Sequence, residues 1–170
     1  MSDTRRQRAE AADITGRTQE RANLTVIEPT VAREDVDSTG RVGVVAYPYR
    51  VYDAVVTVNR PIIADRDLEY VVSVDRARRL AVRADVVPET VSRTVDDVLV
   101  VPSELTDKQV REKAENALFK WTLRKIAVGS APDVRFEQSV DAHKLFWIAS
   151  RPDGDVIIDS VRGTESPLDG

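Results

Sequence analysis

The chain has 170 residues, is 42% apolar and 32% charged, and carries a formal net charge of −4. That length fits one domain with a tail, or two small units sharing a core. The absence of cysteine excludes disulfides, thiolate catalysis and most structural zinc sites. No run approaches the roughly 18 to 20 apolar residues that span a bilayer, so no membrane contact is expected. The charged start MSDTRRQRAEAAD has no apolar signal core, which makes the cytoplasm the default location. Arginine outnumbers lysine and aspartate outnumbers glutamate. GC-rich coding produces that pattern with or without a halophile's adaptation to salt, and both alternatives stand.

Residues 1–23 mix arginines with Asp3, Glu10, Asp13 and Glu20 and develop no apolar face. They are expected to form a charged tail, flexible or partly helical. Residues 24–165 are expected to form a single α+β domain, and 166–170 a second tail. Leu24 to Glu28 reads as a short strand stopped by Pro29, and Thr30 to Gly40 as a polar loop. Val42 to Ala46 and Tyr49 to Val58 are rich in β-branched and aromatic residues. Pro48 between them cannot donate to a ladder, so it marks an edge, a bulge or a joint between two strands. Further strands are expected over Leu68 to Asp75, Leu80 to Val87 and Asp96 to Val101, with a charged turn at Arg76 to Arg79.

The one long helix is expected at about 106–128. Thr106 and Gln109 have the spacing of a capping box, and Leu105 and Val110 that of a hydrophobic staple. Asp107 suits the positive end of the helix, and Lys120, Arg124 and Lys125 the negative end. Val110, Ala114, Ala117, Trp121 and Val128 form an apolar row. Leu118, Phe119, Leu123 and Ile126 widen it, which predicts cover on most sides of the C-terminal half. Gly129 is the expected left-handed terminator. Beyond it, Val134 to Val140 alternates weakly. Lys144 to Ser150 and Asp155 to Val161 make a hairpin around Arg151-Pro152-Asp153-Gly154. The fold expected is a curved antiparallel sheet packed on one helix.

Two stretches look related. Tyr49-Arg50-Val51-Tyr52 aligns with His143-Lys144-Leu145-Phe146, and Val74-Asp75-Arg76-Ala77-Arg78 with Ile158-Asp159-Ser160-Val161-Arg162. Each is an aromatic strand, a turn, and a strand ending in an aspartate placed to cap the next turn. Residues 106–165, through Phe146, Trp147, Asp159 and Gly163, resemble PepSY-like and cystatin-like modules. That resemblance implies a helix lying across a curved sheet in an inhibitory or ligand-binding family.

Chemistry is sparse. His143 is the lone histidine and has no nucleophile in an evident constellation with it. Asp75 and Asp159 are candidate paired carboxylates, although turn capping explains both. There is no phosphate loop, dinucleotide fingerprint or calcium loop, so neither cofactor nor metal is expected. Three readings remain. The leading one is a non-catalytic interaction or small-ligand module, using an open sheet face or the aromatic end of the helix. Its candidate surface is Trp147, Tyr47, Tyr49, Tyr52, Arg76, Arg78 and Arg79, its partner an unknown protein or small ligand, and a homodimer is one option. The second is a nucleic-acid binder using Arg76 to Arg83 with the tyrosines as stacking surfaces; Asp75 and Asp85 dilute that charge and count against it. The third is an enzyme built on Asp75, Asp159, His143 and tyrosines. Of the two tryptophans, Trp121 on the apolar row is expected inside. Trp147, beside Phe146 on a strand, is expected to face outward at an interface.

Overall fold

The computed structural model describes residues 17–126 and 131–168. Along the chain run β1 (Arg17–Ile27), a 3-10 turn (Arg33–Asp35), β2 (Gly43–Val58), β3 (Arg66–Asp75), β4 (Leu80–Ala84) and β5 (Thr90–Val100). Helix α1 (Asp107–Lys125), β6 (Asp133–Arg151), β7 (Gly154–Asp159) and β8 (Glu165–Pro167) follow. The eight strands are hydrogen-bonded in the order β4-β3-β2-β5-β1-β6-β7-β8. The chain is therefore α+β, with a sheet larger than the curved one expected.

Contacts gather into two compact units. The first draws on described residues within Met1–Pro48, Glu89–Pro102 and Ala142–Gly170, the second on Tyr49–Pro88 and Ser103–Asp141. Strands β2 and β6 belong to both. Pro48 lies inside β2 at the boundary, without breaking the strand.

The second unit is a helix on a hairpin. Alternation in β2 and β3 turns Tyr52, Ala54, Val56 and Val58, with Leu68, Tyr70, Val72 and Val74, toward one core. Cross-strand pairs Tyr52↔Val72, Ala54↔Tyr70 and Val56↔Leu68 fix the register. Val110, Ala114 and Leu118, spaced four apart on α1, fill the same core. Both arms of the Thr106–Gln109 capping box form. The staple residues Leu105 and Val110 are buried as well.

The first unit is built from strands alone. Antiparallel β1–β5, from Arg17↔Val100 to Ile27↔Thr90, is its longest ladder. Parallel pairing joins β2 to β5 at Val44↔Val98, and β1 to β6 at Val26↔His143. Ala22, Val26, Val44, Val98, Leu145, Trp147, Ala149 and Ile158 form its core.

The elements differ from expectation at four places. Arg17 to Asn23 is strand, not tail: β5 supplies its hydrogen bonds, so a charged outer face costs nothing in pairing. Helix α1 stops at Lys125 because Ile126 is already extended, at φ −140° and ψ 131°. Leu123 is exposed, so the C-terminal half is not covered on most sides. Residues 166 and 167 fall in β8, which pairs with β7, so that tail too is partly strand. The rest of the N-terminal tail and the Gly129 terminator lie outside the described residues.

Candidate interaction surface

Four of the candidate residues meet around the turn after β3. Asp75 Oδ1 accepts the backbone N–H groups of Ala77 at 3.0 Å and Arg78 at 2.9 Å. Its Oδ2 takes the Arg78 Nε at 2.5 Å, and Arg78 Nη2 donates to the Tyr49 hydroxyl at 3.1 Å. Tyr49 stands directly across the ladder from Asp75. Burial first, and then the Asp75 carboxylate, push the Tyr49 phenol far above its ordinary value. Burial works against the Arg78 charge, but Asp75 and Tyr49 outweigh it and raise the guanidinium's pKa. Arg79 closes the turn at φ 60° and lies 3.7 Å from Glu104, with both side chains well exposed.

Arg76 points into a second cluster. Its Nη2 donates to Asp107 at 3.0 Å, at the start of α1, and to the Leu105 carbonyl at 3.1 Å. Arg50 clasps Asp141 with two bonds, of 2.6 and 3.0 Å, and reaches Asp107 at 3.2 Å. Both arginine side chains are only 16% exposed, while the carboxylates face water. The bond to Asp141 raises the Arg50 pKa despite burial. Two guanidinium groups held this way lock the helix start to β2 and the turn.

The aromatic candidates turn inward instead of forming stacking surfaces. Tyr52 is buried against Phe136, with ring centroids 4.4 Å apart. Tyr47 is half-buried and meets Phe146 edge-on at 5.2 Å. Trp147 is 3% exposed, and its Nε1 donates to the Val31 carbonyl at 2.9 Å. It is a core residue, so the outward face expected for it is corrected: Trp147 and Phe146 are both buried. The first unit presents strands, not a helix, to this part of β6, and that supplies cover on either side.

His143 lies within β6, and burial lowers its pKa. Asp75 and Asp159 each cap a separate turn, one in each unit. Asp159 Oδ1 accepts Val161 N–H at 2.9 Å and Arg162 N–H at 3.0 Å, and Lys144 Nζ meets Oδ2 at 2.7 Å. Burial pushes the Asp159 carboxyl up, but Lys144 and the two N–H groups outweigh it, so its pKa falls below the usual value.

Sequence reasoning missed the surface that the structure leaves open. Strand β4 pairs with β3 from Asp75↔Leu80 to Val71↔Ala84 and ends the sheet order. Its other edge pairs with no strand among the described residues. On the face away from α1, Leu80 is 54% and Val82 46% exposed, and just past the strand Val86 is 71% exposed. Half-buried Val55 and Val71 continue that face inward. The opposite end of the order is guarded: β8 has three residues, Glu165–Pro167, all exposed and one a proline. A signal existed in Leu80, Val82, Ala84 and Val86, every second residue and all apolar, with Arg83 and Asp85 between the last three, but alternation alone does not say which face is covered.

No family model, curated protein or solved structure matches this chain. Among the described residues, no helix is long and apolar enough to cross a membrane. No group of three or more His, Asp or Glu side chains there could hold a metal ion.

Proposed function

We propose that this chain is a non-catalytic protein-interaction module, acting in the cytoplasm, that engages its partner through edge strand β4 and the adjoining sheet face. The observation that carries this reading is the unguarded edge with Leu80, Val82 and Val86 exposed beside it. Unpaired strand edges with exposed apolar residues are templates for added strands, and native proteins normally blunt them. The resemblance to PepSY-like and cystatin-like modules supports a binding role. Its helix lies in the second unit, and Phe146, Trp147, Asp159 and Gly163 lie in the first.

A capture experiment tests the reading. Immobilised wild-type chain in native extract is compared with Val82→Lys, whose new charge opposes strand addition while its position outside the core spares folding. Partners retained by the wild type should be lost from Val82→Lys at an unchanged unfolding midpoint. An identical retained set would overturn β4 as the contact edge.

A further inference from the structure

We infer, resting on β4 as the contact edge, that its partner is a second copy of this chain, paired antiparallel about a two-fold axis at Ala84. The residues from Val82 to Val86 read Val-Arg-Ala-Asp-Val. An antiparallel pair centred on Ala84 sets Arg83 of each copy against Asp85 of the other. It also sets Val82 against Val86, and Ala84 against itself. Opposite charges and β-branched residues directly across a ladder stabilise it, and like charges destabilise it.

The faces agree with this register. Arg83 lies over the Tyr70 ring at 5.0 Å, on the side of the sheet that carries α1. Strand alternation puts Asp85 on that same side, and Val82, Ala84 and Val86 on the other. Both charge pairs therefore form on one face, and an unbroken apolar strip forms on the opposite one. Asp85 and Val86 bend off the end of β4 and are both exposed, so pairing extends the strand through them.

Other registers fail on charge. Centring on Val82 sets Arg83 against Ala81 and leaves Asp85 outside the ladder. A parallel in-register pair sets Arg83 beside Arg83 and Asp85 beside Asp85. The antiparallel two-fold also closes: each copy uses the β4 edge, unpaired among the described residues, and β8 is guarded, so a dimer forms and not a filament.

Sedimentation of the whole chain across a dilution series tests this. Wild type should pass from one chain mass, 18.9 kDa, to twice that value as concentration rises. Arg83→Asp alone and Asp85→Arg alone each place like charges opposite one another twice, and each should remain monomeric. Mixed in equal amounts, the two variants restore both attractive pairs and should dimerise. The double variant, with the charges exchanged, should dimerise by itself. A second readout does not depend on these charges. Ala84→Cys, in a chain with no other cysteine, should oxidise to a disulfide dimer, and Ile62→Cys at the exposed β2–β3 loop should not. Wild type monomeric at every concentration would overturn the self-pairing. So would a mixture that stays monomeric while each variant keeps the wild-type unfolding midpoint. If a monomeric wild type still loses extract partners on Val82→Lys, the contact edge stands and only the second copy as partner falls.

Discussion

Arg79, at φ 60°, and Gly163, at φ 73°, hold the same place in two matching turns. Each follows by four residues an aspartate whose Oδ1 accepts the N–H groups two and three positions on. The residue after each aspartate offers its carbonyl to a segment that docks on the turn. Glu104 N–H donates to the Arg76 carbonyl at 2.9 Å, and Thr30 and Val31 donate to the Ser160 carbonyl at 2.8 and 3.0 Å. The docked segments lead into α1 in one unit and into the 3-10 turn in the other. The two turns differ at the residue of positive φ, where a side chain is strained and glycine is not.

Arg79→Gly should therefore stabilise the chain by up to about 1 kcal/mol, since the exposed contact with Glu104 contributes little. Gly163→Ala should cost about 1 to 2 kcal/mol, because the backbone is left-handed there and the new methyl would sit 3.4 Å from Val31. Urea titration of both variants measures the two signs. Loss of stability in Arg79→Gly would show that its guanidinium does more than close the turn.

Asp159 and Lys144 give a pH signature. The folded-state pKa of Asp159 lies below its ordinary 3.8, so its stabilisation is whole above that value and is lost as pH falls through the folded value. Asp159→Asn keeps an oxygen for the two turn N–H groups but removes the negative charge that the half-buried Lys144 meets at 2.7 Å. It should cost about 1.5 to 3 kcal/mol at neutral pH. The gap from wild type should narrow below pH 3.8. A gap constant across the acid range would assign the effect to packing.

His143 acts at milder acidity. Burial lowers its pKa from 6.5, so the unfolded chain takes up a proton before the folded chain does. Stability is full above pH 6.5 and declines as pH falls toward the lowered value. His143→Gln should flatten that part of the profile, and unfolding midpoints measured from pH 7 to pH 5 would show it. An unchanged slope would mean that other groups set it.

Leu118→Ala should cost about 2 to 5 kcal/mol, because Leu118 is fully buried between α1 and the β2–β3 hairpin. Lys108→Ala should change almost nothing, since its side chain is 86% exposed and 4.0 Å from Glu112. Equal small effects in a denaturant titration would show that α1 does not carry the second core.

Local rules were legible in the sequence, and long-range ones were not. The capping box, the Asp75 and Asp159 turns and the hairpin at Gly154, where φ is 129°, depend on residues a few positions apart. β1 was hidden because Arg17, Glu20 and Arg21 look like a solvated tail until β5, far along the chain, pairs with the strand, Arg17 against Val100 and Arg21 against Asp96. The related hairpins were visible, but their alignment slips by three residues: the residue facing Asp159 is Phe146, and the one facing Asp75 is Tyr49, not Tyr52. Turn chemistry fixes where the aspartate sits, whereas strand register is set by packing across the sheet. The β4 surface was missed for the same reason, since no local rule tells which face a partner strand covers.

Trp147 reports on the first unit alone. Its ring is buried among Val26, Leu145, Ala149 and Ile158, and its Nε1–H satisfies the Val31 carbonyl. Trp121 is half-buried on α1, with its ring 5.9 Å from that of Tyr70. Emission from a Trp121→Phe variant, which comes from Trp147, should be blue-shifted, protected from acrylamide and independent of protein concentration. Emission from Trp147→Phe should be more accessible to quencher. That variant also loses the indole hydrogen bond and leaves the Val31 carbonyl unpaired, so it should cost about 1 to 3 kcal/mol. Because Trp147 lies in the first core and β4 in the second unit, the Trp147 signal should not respond to dilution even where sedimentation shows a dimer dissociating. A Trp147 spectrum that shifts with concentration would place the contact surface on the first unit instead.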